Sequence, residues 1–139
     1  MNKLTFDTGL KTYTINEACE VRFNPTDSTF VRRLYEAFDA LEKKQDTYRE
    51  EVEKLSEPEK ILAFADARDA EMRGVIDGLL GDSVCSSLFG NMNVYALADG
   101  LPAWCNLMLA IFAEVDASMS KEQKLTNPRI KKYMEKYKR

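Results

Sequence analysis

The sequence predicts a mostly helical α+β domain, in which a small N-terminal antiparallel β-hairpin or sheet is followed by a long helical hairpin and further helices. Two observations predict this fold. Short segments between residues 3 and 23 alternate polar and apolar residues, as half-buried strands do. Between residues 27 and 81, apolar residues recur at alternating spacings of three and four, as in helices packed along their length. A chain of 139 residues is long enough to build one such domain around its own core.

The N-terminal segment predicts two or three short strands. Residues 3–6 and 12–16 alternate polar and apolar side chains, and Gly9 lies between them, where a hairpin turn needs a glycine. Residues 20–23 fit a third strand, which Pro25 ends because proline cannot donate to a β-ladder. A two-stranded ribbon is marginally stable alone. We therefore expect one face of the sheet to cover the helices with Leu4, Phe6, Tyr13, Ile15, Val21 and Phe23.

The helical hairpin is predicted to turn at residues 56–58. Asp27 or Ser28 caps the first helix, which runs to about Leu55. Ser56 is a good N-cap for the second helix, and Pro58 fits its first turn. The predicted seams are Val31, Leu34, Phe38, Leu41, Gln45, Tyr48, Val52 and Leu55 in the first helix, and Ile61, Ala65, Arg68, Met72, Val75 and Leu79 in the second.

Two seam positions are polar, and the predicted turn places them opposite each other. If the helices run antiparallel about Ser56, Gln45 and Arg68 share one layer. A buried charge without partners is costly, so we expect these side chains to bond each other or a nearby carboxylate such as Asp69. This layer would set the register of the hairpin. The alternative is that the first helix ends near Gln45 and that Arg68 points to water.

The second half of the chain predicts two more helices before residue 120. Gly78 and Gly81 end the second long helix, and residues 83–89 form a short helix that ends at Gly90. Pro102 then lies in the first turn of a helix that reaches about residue 118.

This helix carries no charge between Asp99 and Glu114. A helix that is apolar on most faces lies in the core or is covered by a partner. We assign the core to Leu107, Ile111 and Val115, and leave both alternatives open for Trp104, Met108 and Phe112, because aromatic residues and Met are common interface anchors.

Charge divides the chain at residue 120. Residues 121–139 carry eight Lys or Arg against two acidic residues, a net charge of +6, and this leaves −9 for residues 1–120. We predict one compact domain over 1–120, a linker at 121–125, and a basic C-terminal helix that begins near Pro128. An acidic body argues against nucleic-acid binding by the domain, although the tail alone could contact phosphate or an acidic protein.

Several classes of activity lack the residues they need. The chain has no histidine, which removes the usual general base and the usual zinc ligand. Asp66, Asp69 and Glu71 are not spaced to share one helix face, so a solvated surface is favoured over a metal site. The three cysteines are unclustered, and the chain begins without the apolar core of a signal peptide, which favours a cytosolic protein. We therefore predict no catalytic residue, metal or cofactor.

Several short segments of the chain resemble those of a known protein family. The segments Leu88-Phe89-Gly90, Asn91-Met92-Asn93-Val94 and Gly100 to Asn106 look like the small tail assembly chaperones of long-tailed bacteriophages and prophages. So does Phe23-Asn24-Pro25-Thr26-Asp27, which leads into a long helix. The resemblance covers nearly the whole chain in the order and size of its elements, although its motifs are short.

The resemblance implies a non-enzymatic assembly factor of the bacterial host cytoplasm that is absent from the mature virion. Such proteins bind the tape measure protein, keep it soluble, and help recruit subunits of the tail tube protein. Self-association into a homo-oligomer is expected, and no membrane partner is. No family motif marks the contact residues. From apolarity and lack of charge we predict a partner-binding surface of Phe89, Val94, Tyr95, Leu97, Trp104, Met108 and Phe112.

Three other functions remain as alternatives. The chain could be another phage structural part, such as a head–tail connector or tail completion protein, which would be found in purified particles. It could be a small regulator that binds nucleic acid through its basic tail, in which case binding falls steeply with salt. An enzyme that uses carboxylates is disfavoured, because no paired acids lie in an apolar setting that would raise one pKa.

Overall fold

A computed structural model describes residues 1–137, except for the side chains of residues 125–131, 133, 134 and 137. The fold is the predicted one: α+β, mostly helical, with an N-terminal antiparallel pair of strands followed by helices. The elements in chain order are β1 (Lys11–Ile15), β2 (Cys19–Phe23), α1 (Ser28–Glu53), α2 (Pro58–Leu80), α3 (Val84–Phe89), β3 (Leu97–Ala98), β4 (Leu101–Pro102) and α4 (Ala103–Tyr137).

The N-terminal hairpin forms from the second and third predicted strands. β1 pairs with β2 from Lys11 opposite Phe23 to Ile15 opposite Cys19. The turn between them contains Asn16 and Glu17, both with positive φ, and Ala18 donates its backbone N–H to the Ile15 carbonyl. Two successive left-handed residues match the twist of a tight hairpin. The residue pattern does not predict this turn, because Glu17 stands where glycine is usual.

The strand predicted at residues 3–6 is wrong. Leu4 and Phe6 do not cover the helices; their side chains are 97% and 83% exposed. The physical reason lies at Thr8, whose carbonyl accepts a hydrogen bond of 2.9 Å from Asn24 Nδ2. This bond attaches the segment before β1 to the residue that follows β2, and not to the free edge of β1.

The long helical hairpin follows the predicted seams closely. The Asp27 side chain caps α1 by accepting the Thr29 N–H at 3.0 Å, as expected. The N-cap of α2 is Glu57, with no side-chain hydrogen bond, so the prediction of Ser56 as the cap is wrong, although Pro58 does open the helix. All eight seam positions of α1 are buried or half-buried; on α2 Ile61 is exposed, and Ile76, which was not assigned to the seam, is fully buried.

The core lies where the sheet, α1, α2 and the first half of α4 meet. The rings of Tyr13, Phe23 and Phe30 stack in series, with centroid separations of 4.7 and 4.4 Å. These contacts fix the hairpin to the start of α1. The side chains that are completely or almost completely removed from solvent include Leu34, Leu41, Met72, Ile76, Val94, Trp104 and Met108.

Helix α4 is continuous over 35 residues, so the linker predicted at 121–125 is wrong. That stretch reads Lys-Glu-Gln-Lys-Leu, which is polar but composed of good helix formers. Its polarity reflects exposure to solvent rather than a break in secondary structure. The predicted basic tail therefore begins inside α4. Most of its side chains lie outside the described residues.

Candidate partner-binding surface

The loop between α3 and β3 is attached to α2 by polar side chains. Asp69 Oδ1 accepts the Val94 N–H at 2.8 Å, and its Oδ2 pairs with Arg73 Nε at 2.9 Å. Arg73 Nη2 donates to the carbonyls of Gly90 and Met92 at 2.8 and 2.7 Å. Asn93 Nδ2 donates to the Ala65 carbonyl at 3.2 Å. Together these bonds fix a segment that has almost no regular secondary structure of its own.

The same loop provides hydrogen-bond acceptors for the start of α4. The Ala103 N–H donates to the Ala96 carbonyl at 2.8 Å, and the Trp104 N–H donates to the Val94 carbonyl at 3.1 Å. The first N–H groups of a helix have no partner within the helix, so an external acceptor stabilises its start. The backbone carbonyls of Val94 and Ala96 therefore cap the start of α4 in place of a side chain.

The predicted partner-binding residues divide by burial. Val94, Trp104 and Met108 are at most 2% exposed and fill the chain's own core, so their prediction as surface residues is corrected. Half-buried Phe89, Tyr95 and Phe112 pack against that core. The reason is the loop attachment described above, which lays Val94 and Tyr95 over the helices instead of leaving them in solvent. Leu97 is 75% exposed, so a partner can reach it.

Helix α4 has two distinct faces between Ala103 and Ser120. The core face carries Trp104, Leu107, Met108, Ile111 and Val115, and their burial confirms the assignment of Leu107, Ile111 and Val115 to the core. The opposite face is half-buried at Asn106 and exposed beyond it. We call this opposite face the α4 outer face; it consists of Asn106, Leu109, Ala113, Asp116, Ala117 and Ser120.

The β3–β4 hairpin extends this surface beyond the start of α4. Asp99 and Gly100 form its turn with φ of 55° and 82°. This conformation suits the Asp-Gly pair of a tight hairpin. Asn106 Nδ2 donates to the Ala98 carbonyl at 2.8 Å, which attaches the hairpin to the first turn of the outer face. The hairpin adds exposed Leu97 and Leu101 to exposed Leu109, so three leucines lie at one end of the surface.

The surface has little charge: its one carboxylate is Asp116, and Glu114 lies beside it. From Ala103 to Ser120 the charged residues are Glu114 and Asp116, with no Lys or Arg. Glu114 Oε1 accepts hydrogen bonds from Tyr13 Oη at 2.8 Å and from Ser118 Oγ at 3.0 Å. These bonds favour the ionised carboxylate and lower the pKa of Glu114. Burial, together with the bond to Glu114, raises the pKa of Tyr13 to about 12.

Arg68 does not pair with Gln45, so the predicted register layer is wrong in its contacts. The Gln45 amide donates to the Leu41 carbonyl of its own helix at 2.7 Å. The Arg68 guanidinium carbon lies 3.8 Å from the Tyr95 ring centroid and 5.1 Å from that of Tyr48. Asp69, the other expected partner, is occupied by Val94 and Arg73. Aromatic faces attract the cation through their quadrupoles and take the place of a carboxylate.

The register of the hairpin is instead marked by a cluster around Tyr48. Its ring meets Phe64 edge-on at 5.9 Å, and its hydroxyl donates to Glu71 Oε2 at 2.7 Å. Lys44 forms an ion pair with Glu71. The bonds from Lys44 and Tyr48 lower the pKa of Glu71, while burial raises that of Tyr48. The polar contacts that join α1 to α2 are therefore made by Lys44, Tyr48 and Glu71, about one helical turn from the predicted layer of Gln45 and Arg68.

Other potential sites have less support. Cys19, Cys85 and Cys105 are free thiols, and burial raises the pKa of Cys85 to about 12, which makes it a poor nucleophile. Within the described part of the chain, no group of three acidic or thiol side chains is placed to hold a metal ion. No helix among the described residues is long and apolar enough to cross a membrane.

Comparison of the chain with known protein families gives no match, and comparisons with curated proteins and with solved structures give none either. The candidate surface therefore depends on the geometry and chemistry of this chain. Trp104 and Met108, which were predicted to contact the partner, lie on the core face of α4. A signal for the outer face was present in Leu109, Ala113 and Ala117, which recur at spacings of four.

Proposed function

We propose that this protein is a non-enzymatic tail assembly chaperone of a bacteriophage or prophage, which binds the tape measure protein and helps recruit tail tube subunits. The observation that carries the proposal is the exposed, charge-poor outer face of α4 together with the leucines of the β3–β4 hairpin. The resemblance of the Phe89-Gly90 region and of the order of elements to that family supplies the identity of the partner.

The geometry of the surface suits a helical partner. From Asn106 to Ser120 the outer face extends about 21 Å along α4, or four helical turns. Ala113 and Ala117 are small, so a second helix can approach closely between them. Leu97, Leu101 and Leu109 provide apolar anchors at one end. A tape measure protein is a long helical chain with apolar seams, and covering those seams would keep it soluble before the tube assembles around it.

The proposal places the protein in the cytoplasm of an infected or lysogenic bacterium, outside the finished virion. Mass spectrometry of purified particles examines this point. Detection of the chain at stoichiometric levels would contradict the chaperone and would favour a connector or tail completion protein.

The direct experiment is co-expression of the tagged protein with the large helical protein encoded just downstream of its gene. We expect a soluble complex, with the partner insoluble when expressed alone. Replacement of Ala113 by Glu places a charge in the middle of the outer face, and should reduce recovery of the partner at least about tenfold. The matched control is Ala70→Glu, an exposed alanine in α2, which should leave recovery unchanged.

Both variants alter exposed helical alanines, so circular dichroism and thermal unfolding should match those of the wild type. Failure to recover the partner with well-folded wild-type protein would overturn the proposal. Equal loss with Ala113→Glu and Ala70→Glu would place the contact elsewhere on the molecule.

A further inference from the structure

Residues 1–7 project from the body of the protein with their apolar side chains in solvent. Leu4 is 97% exposed and Phe6 is 83% exposed. Residues 1–6 make no hydrogen bond with any other residue that the structure describes. Leu4 and Phe6 are two positions apart, so in an extended conformation both side chains lie on the same face. We call residues 1–7 the N-terminal arm.

An edge of the sheet is free to receive an extended segment. β1 pairs with β2 on one side, and among the described residues no strand pairs with its other side. The far side of β2 is different, because α3 packs against that strand. An unpaired strand edge presents a row of N–H and C=O groups to which another extended chain can bond.

Beside this edge lies an apolar groove of about 280 Å³ between the hairpin and α4. The strands contribute Tyr13, Ile15, Val21 and Phe23 to its apolar lining, and α4 contributes Leu107, Ala110 and Ile111; Glu114 also lines the groove. A strand added to the free edge of β1, with Leu4 and Phe6 on the face shared by Tyr13 and Ile15, would place both side chains over this groove.

The base of the arm is held by a compact turn. Gly9 has φ +77°, and a Cβ at this position would lie 2.5 Å from Asn24 Nδ2. Asn24 Nδ2 donates to the Thr8 carbonyl, and the Gly9 N–H donates to Asp7 Oδ1 at 2.8 Å. Beyond this turn Leu4 and Phe6 are in solvent, so the arm does not fill the groove of its own copy and is available to another molecule.

We propose that the N-terminal arm of one copy adds as a strand to the free edge of β1 in a second copy, and buries Leu4 and Phe6 in the groove between β1 and α4. A twofold pair exchanges two arms, so each contact occurs twice. This interface uses the opposite margin of α4 from the outer face, and it does not depend on the proposed function.

Analytical ultracentrifugation of the full chain alone tests the interface. Phe6→Asp puts a charge on the buried side of the arm, whereas Thr5→Asp adds the same charge on the other side. We expect Phe6→Asp to weaken self-association at least about a hundredfold, since both arms lose a buried ring. Thr5→Asp should stay within about threefold of the wild type. Both positions are exposed in the single copy, so neither change should affect its fold.

A second measurement distinguishes exchange of arms between two copies from an arm that folds back onto β1 of its own copy. With a photo-crosslinking amino acid at position 6 and a mixture of isotope-labelled and unlabelled protein, crosslinks to β1 or α4 should join differently labelled copies. The groove variant Ala110→Arg should abolish these crosslinks. Crosslinks confined to one copy, a monomer at all concentrations, or a dimer that Phe6→Asp leaves unchanged would each overturn the proposal.

Discussion

The carboxylate of Asp69 on α2 accepts the backbone N–H of Val94 at 2.8 Å, although the two residues lie 25 positions apart. The second oxygen of the same carboxylate pairs with Arg73. Val94 is fully buried, so its N–H has no access to water in place of Asp69. This one side chain joins the irregular loop to α2, and the loop in turn provides acceptors for the first N–H groups of α4.

Replacement of Asp69 by Ala should lower the free energy of unfolding by about 2–4 kcal/mol, because it leaves a buried N–H and an arginine without their partner. Urea denaturation measures the change. Asp66→Ala is the control, since Asp66 is exposed on the same helix, and it should cost less than about 0.5 kcal/mol. Equal effects of the two substitutions would show that the Asp69 contact adds nothing to stability.

Two residues of the predicted partner-binding set differ in burial: Met108 is buried in the core, and Leu97 is exposed. Met108→Ala should lower the free energy of unfolding by about 2–5 kcal/mol, because it opens a cavity in the core. Leu97→Ala should change it by less than about 0.5 kcal/mol, since the side chain is mostly in solvent. Thermal and urea unfolding of both variants check this difference. A small effect at Met108 would contradict its assignment to the core.

Glu114 should make stability depend on pH. Its pKa is lowered in the folded protein by the hydrogen bond from Tyr13 and then by that from Ser118. Its contribution is therefore present above the ordinary glutamate pKa of about 4.3 and is lost as pH falls through the lowered value. Urea midpoints at neutral pH and at about pH 3 should differ less in Glu114→Gln than in the wild type. The control Glu50→Gln, an exposed residue of α1, should follow the wild-type profile.

Two substitutions of Arg68, by Met and by Ala, should lower the free energy of unfolding by different amounts. Arg68 Nε is buried and has no hydrogen-bond partner among the described residues, while the guanidinium carbon lies over the Tyr95 ring. Arg68→Met keeps side-chain volume and removes the unsatisfied group, so the free energy of unfolding should stay within about 1 kcal/mol of the wild type. Arg68→Ala should lower it by about 1–3 kcal/mol, because packing and the cation–π contact are both lost. Urea denaturation compares the two, and equal losses would contradict this account.

Much of the fold could be predicted because its signals are local. The three-and-four spacing of Leu34, Phe38 and Leu41 specifies which side of α1 faces inward, and Asp27 and Pro58 mark helix starts through their own backbone chemistry. The N-terminal hairpin was harder, because segments 3–6 and 20–23 are equally good strands by pattern. The pattern does not encode long-range contacts such as the hydrogen bond from Asn24 to the Thr8 carbonyl, which holds the segment before β1.

Of the predicted partner-binding residues, Leu97 is exposed, whereas Val94, Trp104 and Met108 are buried in the core. Trp104, Met108 and Phe112 are the residue types that interfaces favour, and cores favour them as well. Their placement depends on the loop held by Asp69 and Arg73, which no spacing rule predicts. Leu109, Ala113 and Ala117 form the accessible face because the loop and hairpin leave that side of α4 uncovered.

The sequence by itself determined the class of fold, the extent of α1 and α2, and the absence of histidine chemistry, because these follow from residue type and from periodicity along the chain. The tertiary structure alone decided the partners of Arg68, the exposure of the N-terminal arm, and which face of α4 meets solvent. Each of these depends on residues that lie far apart in the chain, and their approach is set by packing and hydrogen bonding that local pattern does not encode.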